Sequence, residues 1–425
     1  MADSKITALT ALTAADPVND MFPVVDVSDT TMAASGTTKR ISANNILSSS
    51  PTASGAFTVT GKVTANTNIE ITRGLLNDGT STGVGATALA ATTAGATGNT
   101  ALGYQAMYRA TTGASNVAIG NSPLSAAAMT GSNNVAIGVS PLNATTSGSS
   151  NIAIGNEAGQ GVTTAAGNVF ISTRSGKSAS AITGGDNIGI GGDTFRNLTS
   201  GATNVAIGNS ALNKVTSGSN NSAIGVNALK NNTASNNTAF GGDALTANTT
   251  GSSNTAVGSA ALTSIVSGSN NTAVGYYAGL VTTASDNTAI GANAMALVTT
   301  GTANTAVGSS AMAAAATGGY NTCVGQIAGT AVTGGNDNVF IGAEAGYTTT
   351  TGAANICIGS GAVTGSAGVS NTLSIGSSVQ YVATNGNATT YYSTATAGAI
   401  VPLSFVGYMR IRLNGTFVKV PIYND

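Results

Sequence analysis

Asn116-Val-Ala-Ile-Gly120, Asn204-Val-Ala-Ile-Gly208, Asn254-Thr-Ala-Val-Gly258 and Asn304-Thr-Ala-Val-Gly308 are copies of one pentapeptide that recurs from Asn99 to Gly376. There are seventeen copies, with successive closing residues 16 to 19 positions apart and mostly 17. Only Ser172 replaces the closing Gly, and the last copy, Asn371-Thr-Leu-Ser-Ile-Gly376, carries one extra residue. A fixed short period is the mark of a solenoid, in which each repeat stacks on its neighbours. Between Asn and Gly the residues alternate in character, as a short strand requires. Three residues beyond the Gly comes a second apolar segment, as in Ala211-Leu212, Ala261-Leu262, Ala294-Met295 and Pro123-Leu124. A turn cluster such as Thr249-Thr-Gly-Ser-Ser253 then follows. The period is too short for leucine-rich or helical repeats. The expected fold is all-β, a parallel β-solenoid or β-roll of about seventeen 17-residue coils.

At about 4.8 Å per coil the stack makes a rod on the order of 80 Å long. The Ile/Val/Leu ladder at the fourth motif position is expected to be the inner seam, each side chain contributing about 1.5–3 kcal/mol when buried. One branched residue and one Leu per coil do not offset a backbone entropy cost of roughly 1–2 kcal/mol per residue. The small third position (Ala, Gly, Cys) is therefore expected to pack chains together, giving a homotrimeric fibre; the alternative is a single-chain solenoid. Thr255, Thr272, Thr288, Thr305 and Thr322 form a threonine ladder, which raises ice binding. Because Thr shares a face with the expected inner seam, its hydroxyls are expected to point inward.

Composition narrows the chemistry. The 425 residues include 57 Gly, 7% charged residues, no Trp, no His and two Cys, with a net charge of −1. Ser–His and Cys–His catalysis and ordinary zinc sites need residues that are missing. Between Asn231 and Met409 there is no Lys or Arg, so a phosphate-tracking groove for nucleic acid is not expected there. Met1 to Thr10 lacks a basic run followed by an apolar core, and no apolar run reaches 18 residues, so neither a secretory signal nor a membrane span is expected. Cys323 and Cys357 share the third position two coils apart, roughly 10 Å, too far for an intrachain disulfide. Paired carboxylates for glycoside cleavage would have to come from Asp243, Asp286, Asp337 and Glu344, which sit singly on turns of different coils. No cofactor or metal is expected.

Outside the repeats, residues 1–50 hold Ile6-Thr-Ala-Leu-Thr10, Val24-Val-Asp-Val-Ser-Asp-Thr30 and Gly36-Thr-Thr-Lys39. This run resembles the N-terminal module of tail-fibre and related structural proteins of bacteriophages, cyanophages in particular. The resemblance implies a virion-attachment module that docks on a tail, baseplate or other virion protein. Residues 51–98 alternate like strands and form a β-rich shoulder, with Gly83-Val84-Gly85 as a degenerate first coil. The shaft, 99–376, is similar to the head repeats of trimeric autotransporter adhesins, which implies a trimeric β-roll. Those adhesins carry a signal and a membrane anchor that this chain is not expected to have.

Residues 377–425 hold five of the eleven tyrosines and a hairpin, Tyr408 to Leu413 and Thr416 to Val420 around Asn414-Gly415. Its expected register sets Leu413 opposite Thr416, Ile411 opposite Val418 and Met409 opposite Val420. The ending resembles the C-terminal segment of some phage fibre proteins. Tyr381, Tyr391, Tyr392, Tyr408, Arg410, Arg412 and Tyr423 are the receptor-contact candidates, since Tyr and Arg favour recognition surfaces; the alternative is that they close the trimer's own core. The reading is a structural virion protein, assembled in the host cytoplasm and located in the virion tail. It attaches by its N-terminus and meets a host surface glycan or protein with its distal tip. A tailspike-type polysaccharide depolymerase and a cellular trimeric adhesin are the alternatives.

Overall fold

The computed structural model describes residues 81–90, 95–126, 128–314 and 317–376, together with the backbone of 404–413 and 416–424. All of these fall within the unit Ile71–Asp425. The attachment module expected at 1–50, and Tyr381, Tyr391 and Tyr392, lie outside the described residues.

Eighteen short strands, from β1 (Thr82–Val84) and β2 (Thr100–Leu102) to β18 (Leu373–Ile375), form one parallel sheet in sequence order. Pairing is in register, motif position on motif position: Thr255 pairs with Thr272, Ala256 with Ala273 and Val257 with Val274. The chain is an all-β parallel solenoid with one coil per repeat. The degenerate copy at Gly83 is the first coil, and β1 pairs with β2 over three residues. The other walls of each coil pair as well, through bonds such as Leu245 N to Ala261 O at 3.0 Å and Thr249 N to Val266 O at 2.9 Å.

Which face of the strand points inward is decided by Asn. Each motif Asn from Asn99 to Asn355 is buried, and each accepts and donates across coils. The Asn254 Oδ1 takes the backbone N–H of Asn271 at 3.0 Å and its Nδ2 at 3.0 Å, while Asn254 Nδ2 donates to the Gly268 carbonyl at 2.8 Å. The pattern repeats up the stack, for example from Asn304 to Asn321 to Asn338. Period two then places the third residue on the same inward side and turns the second and fourth outward. The third motif residue of every coil is accordingly buried; Ala118, Ala206 and Ala256 are 0% exposed.

This reverses the expected orientation. The Ile/Val ladder is on the outside, and the small third position fills the inside instead of packing chains together. The Thr hydroxyls of Thr255, Thr272, Thr288, Thr305 and Thr322 likewise sit on the outward face, half-buried among their neighbours. A narrow coil leaves room for one methyl from the strand because Leu or Met crosses from the opposite wall. Leu212, Leu229, Leu245 and Leu262 do this with left-handed backbones, φ 47°, 51°, 54° and 51°. Burial worth about 1.5–3 kcal/mol offsets the roughly 1–2 kcal/mol that an L-residue incurs there.

Where one wall is bulky the other is glycine. Phe170 and Phe340 occupy third positions, and a Cβ on Gly176 or Gly346 would lie 2.7 Å from the Phe170 ring or 2.5 Å from the Phe340 Cγ. Phe195 reverses the arrangement and faces Gly189. The closing Gly has a different constraint: at Gly258 φ is 132° and a Cβ would meet the Gly275 carbonyl oxygen at 2.5 Å.

The ends of the Asn ladder differ from its middle. Ser81 takes the Asn place in the first coil, its Oγ accepting the Asn99 N–H at 3.1 Å. In the last, Thr372 takes it, its N–H bonding Asn355 Oδ1 at 2.9 Å. The extra residue of the last copy is thus Asn371, which belongs to the preceding turn with φ 60°. The hairpin of β19 (Ser404–Leu413) and β20 (Thr416–Asn424) has the expected register, Leu413 on Thr416, Ile411 on Val418 and Met409 on Val420.

Two outcomes are expected. Asn254→Ala leaves two buried groups, the Asn271 N–H and the Gly268 carbonyl, without partners, at about 1–3 kcal/mol each. Thr372→Ala removes a buried hydroxyl that has no partner among the described residues, so it strands no other group and costs less than Asn254→Ala. Thermal melts with amide exchange at Asn271 check both, and equal destabilisation of the two variants contradicts the ladder's role. Phe340→Ala costs about 3–5 kcal/mol, and adding Gly346→Leu restores most of it if the two walls share one volume.

Candidate functional site: the outward sheet face

The outward face follows from the parity just described. Along it run two parallel rows, second and fourth motif positions, spaced about 4.8 Å from coil to coil and roughly 7 Å across. The fourth row is Ile, Val, Leu or Phe throughout. Several of its members are more than a third exposed, including Leu102, Ile154, Phe240 and Ile290 at 47%, 38%, 53% and 39%. The second row is Val or Ile from Val117 to Val205, Thr from Thr238 to Thr322, and Val, Ile or Leu from Val339 to Leu373. No charged side chain interrupts either row. Soluble monomers rarely leave an apolar strip of this extent bare.

The remaining surface is divided. The residues just after each closing Gly carry every Lys and Arg between residues 95 and 376, as well as Tyr104, Tyr276, Tyr277 and Tyr347. The far turns are Thr, Ser, Gly and Asn with isolated acids. Asp243 and Glu344 lie on one corner six coils apart, and Asp286 and Asp337 on another, three coils or about 14 Å apart. The described carboxylates among the four are not brought into a catalytic pair. Among the described residues no group of three or more His, Cys, Asp and Glu could hold a metal, and no helix is long and apolar enough to cross a membrane.

Of the receptor-contact candidates, Tyr408, Arg410 and Arg412 take alternate places on β19, opposite Pro421, Lys419 and Phe417, and Tyr423 on β20 is opposite Phe405. The sequence reading overlooked the outward face as a site. The buried Asn, with its fixed two-residue spacing from Ala, was the signal that could have found it. No family model, curated protein or solved structure matches the chain.

Cys323 and Cys357 occupy inward third positions with Phe340 between them, both 0% exposed and both free thiols. Burial pushes their pKa values up from the usual 9.0 to about 12 and about 11. Their ionisation therefore opposes folding: above pH 9 the unfolded chain gives up these protons first, and stability falls as pH rises. At pH 8 neither thiol is expected to react with iodoacetamide in the native protein, and both react after denaturation, which peptide mass spectrometry reads directly.

Proposed function

We propose that the chain is the subunit of a trimeric bacteriophage tail fibre, a structural virion protein attached through residues 1–50 and meeting the host surface at its C-terminal end. The single observation that carries the reading is the continuous outward apolar ladder from Leu102 to Ile375. Three such faces packed about a common axis remove the strip from water and supply the burial that a narrow coil lacks by itself. The resemblances at the N-terminus, in the repeats and at the C-terminus support the setting. The mechanism is mechanical: a stiff rod gives reach, and three copies of one tip give avidity beyond that of one site. Tyr381, Tyr391, Tyr392, Tyr408, Arg410, Arg412 and Tyr423 remain the proposed contacts.

One observation favours a second reading. Thr238 to Thr322 present six outward Thr in successive coils, in register on a parallel sheet. A regular hydroxyl row beside a methyl row is a surface suited to ordered water, so ice binding regains support once the hydroxyls are outward. A trimer would cover this row; a monomer would leave it free.

Light scattering on the purified chain separates the two. The fibre reading expects three times 40.9 kDa, about 123 kDa. Ile190→Lys combined with Ile290→Lys, both on the outward row, should yield a folded monomer by circular dichroism. A wild-type monomer that shows thermal hysteresis would overturn the fibre and establish the ice-binding face.

A further inference from the structure

We propose that the corner of the solenoid formed by Arg174, Lys177, Arg196, Lys214 and Lys230 is a lateral binding site for an anionic polysaccharide. It is distinct from the outward sheet face and from the C-terminal hairpin, and it depends on neither the number of copies nor the fibre reading.

Charge in this molecule is scarce, and five of its fourteen Lys and Arg fall between Arg174 and Lys230. All five residues lie two, five or six positions after the closing residue of their coil, so they stack along one edge over four successive coils. Beyond Lys230 no Lys or Arg occurs until Arg410. Two acids share the edge. Asp193 is held between two guanidinium groups, Arg174 Nη2 at 2.8 Å and Arg196 Nη1 at 2.6 Å, and Glu157 pairs with Lys177 Nζ at 2.6 Å. Burial draws the Asp193 carboxyl upward, but hydrogen bonds from Arg196 and Arg174 and their charges outweigh it and hold its pKa below the usual value. One carboxylate thus positions two arginines side by side while cancelling only one of their charges. Lys214 and Lys230, on neighbouring coils with Lys214 N bonded to Lys230 O at 2.9 Å, have no ion-pair partner among the described residues. Asp243, hydrogen-bonded by Asn227 Nδ2 at 3.0 Å, bounds the edge on the next coil.

The chemistry of the edge selects its ligand. Cations recurring coil by coil along a straight line suit a linear polyanion laid parallel to the rod. The edge carries no exposed aromatic ring, so it lacks the stacking platform on which single-stranded nucleic acid binds. It also lacks a large buried anchor of the kind that dominates protein interfaces. Sulfate, phosphate or carboxylate groups on sugars need only charge and spacing, which the edge supplies.

The test uses the full-length protein, with immobilised heparin as the sulfated probe, hyaluronate as the carboxylated one and neutral dextran as the control, at 50 mM and 300 mM salt. Expected is binding to heparin or hyaluronate that weakens with salt, with none to dextran. Lys214→Gln combined with Lys230→Gln should weaken it roughly tenfold or more, and Asp193→Asn should strengthen it. Replacing Lys419 of the hairpin by Gln should leave it unchanged. No binding to either polyanion, undiminished binding by the lysine variant, loss in the hairpin variant alone, or tighter binding to oligo-dT than to heparin would each overturn the assignment. Circular dichroism of each variant keeps misfolding distinct from loss of the site.

Discussion

The amide ladder of the motif asparagines is the constraint on which the solenoid depends. An Asn side chain carries both an acceptor and a donor, and here the acceptor takes the next coil's N–H while the donor reaches a turn carbonyl. Left unmade, each of these buried groups would cost about 1–3 kcal/mol. No aliphatic residue could satisfy them. Because Asn must face inward to reach its counterpart, everything two residues away faces inward too, and everything one residue away faces out. The burial of Ala, the exposure of Ile and Val, and the position of Leu on the opposite wall all follow from that.

The interior that results is unusually thin for its length. Two small residues and one Leu or Met per coil contribute little burial, and many residues hold left-handed backbones, Leu212 and Met312 among them. Hydrogen bonding between coils is nearly continuous around the coil, so cohesion along the axis is strong while each cross-section is sparse. The Phe170 and Phe340 positions make the point, since each ring fits only where the opposite wall has lost its side chain at Gly176 or Gly346. Such a section leaves the outward rows as the main remaining source of apolar burial.

Much of the fold was legible before any coordinates. The spacing of Gly103, Gly120 and their successors located every coil, Gly85 marked a first degenerate one, and Asn414-Gly415 set the hairpin register. What could not be read was the sense of the alternation. Thr-Ala-Ile is compatible with either face inward, and bulk favoured Ile. The decisive residue was Asn, which hydrophobic patterning treats as surface. The pairing of Phe with Gly across the coil was hidden for another reason: the partners, such as Phe340 and Gly346, belong to different walls, whose juxtaposition depends on the turn between them. The candidate tip was legible as composition, but the outward ladder required the parity.

The two ends of the ladder carry a further meaning. Ser81 and Thr372 stand where every coil between them has Asn: the Ser81 hydroxyl accepts the Asn99 N–H, and Thr372 reaches Asn355 only through its backbone N–H. Along the described coils the amide ladder thus runs between two single hydroxyl residues, while the strands between them keep one register. A duplicated or deleted coil would be absorbed without touching either boundary, altering the rod by one strand spacing. The reach of the ladder is therefore additive, each coil lengthening it by about 4.8 Å whatever its turns contain.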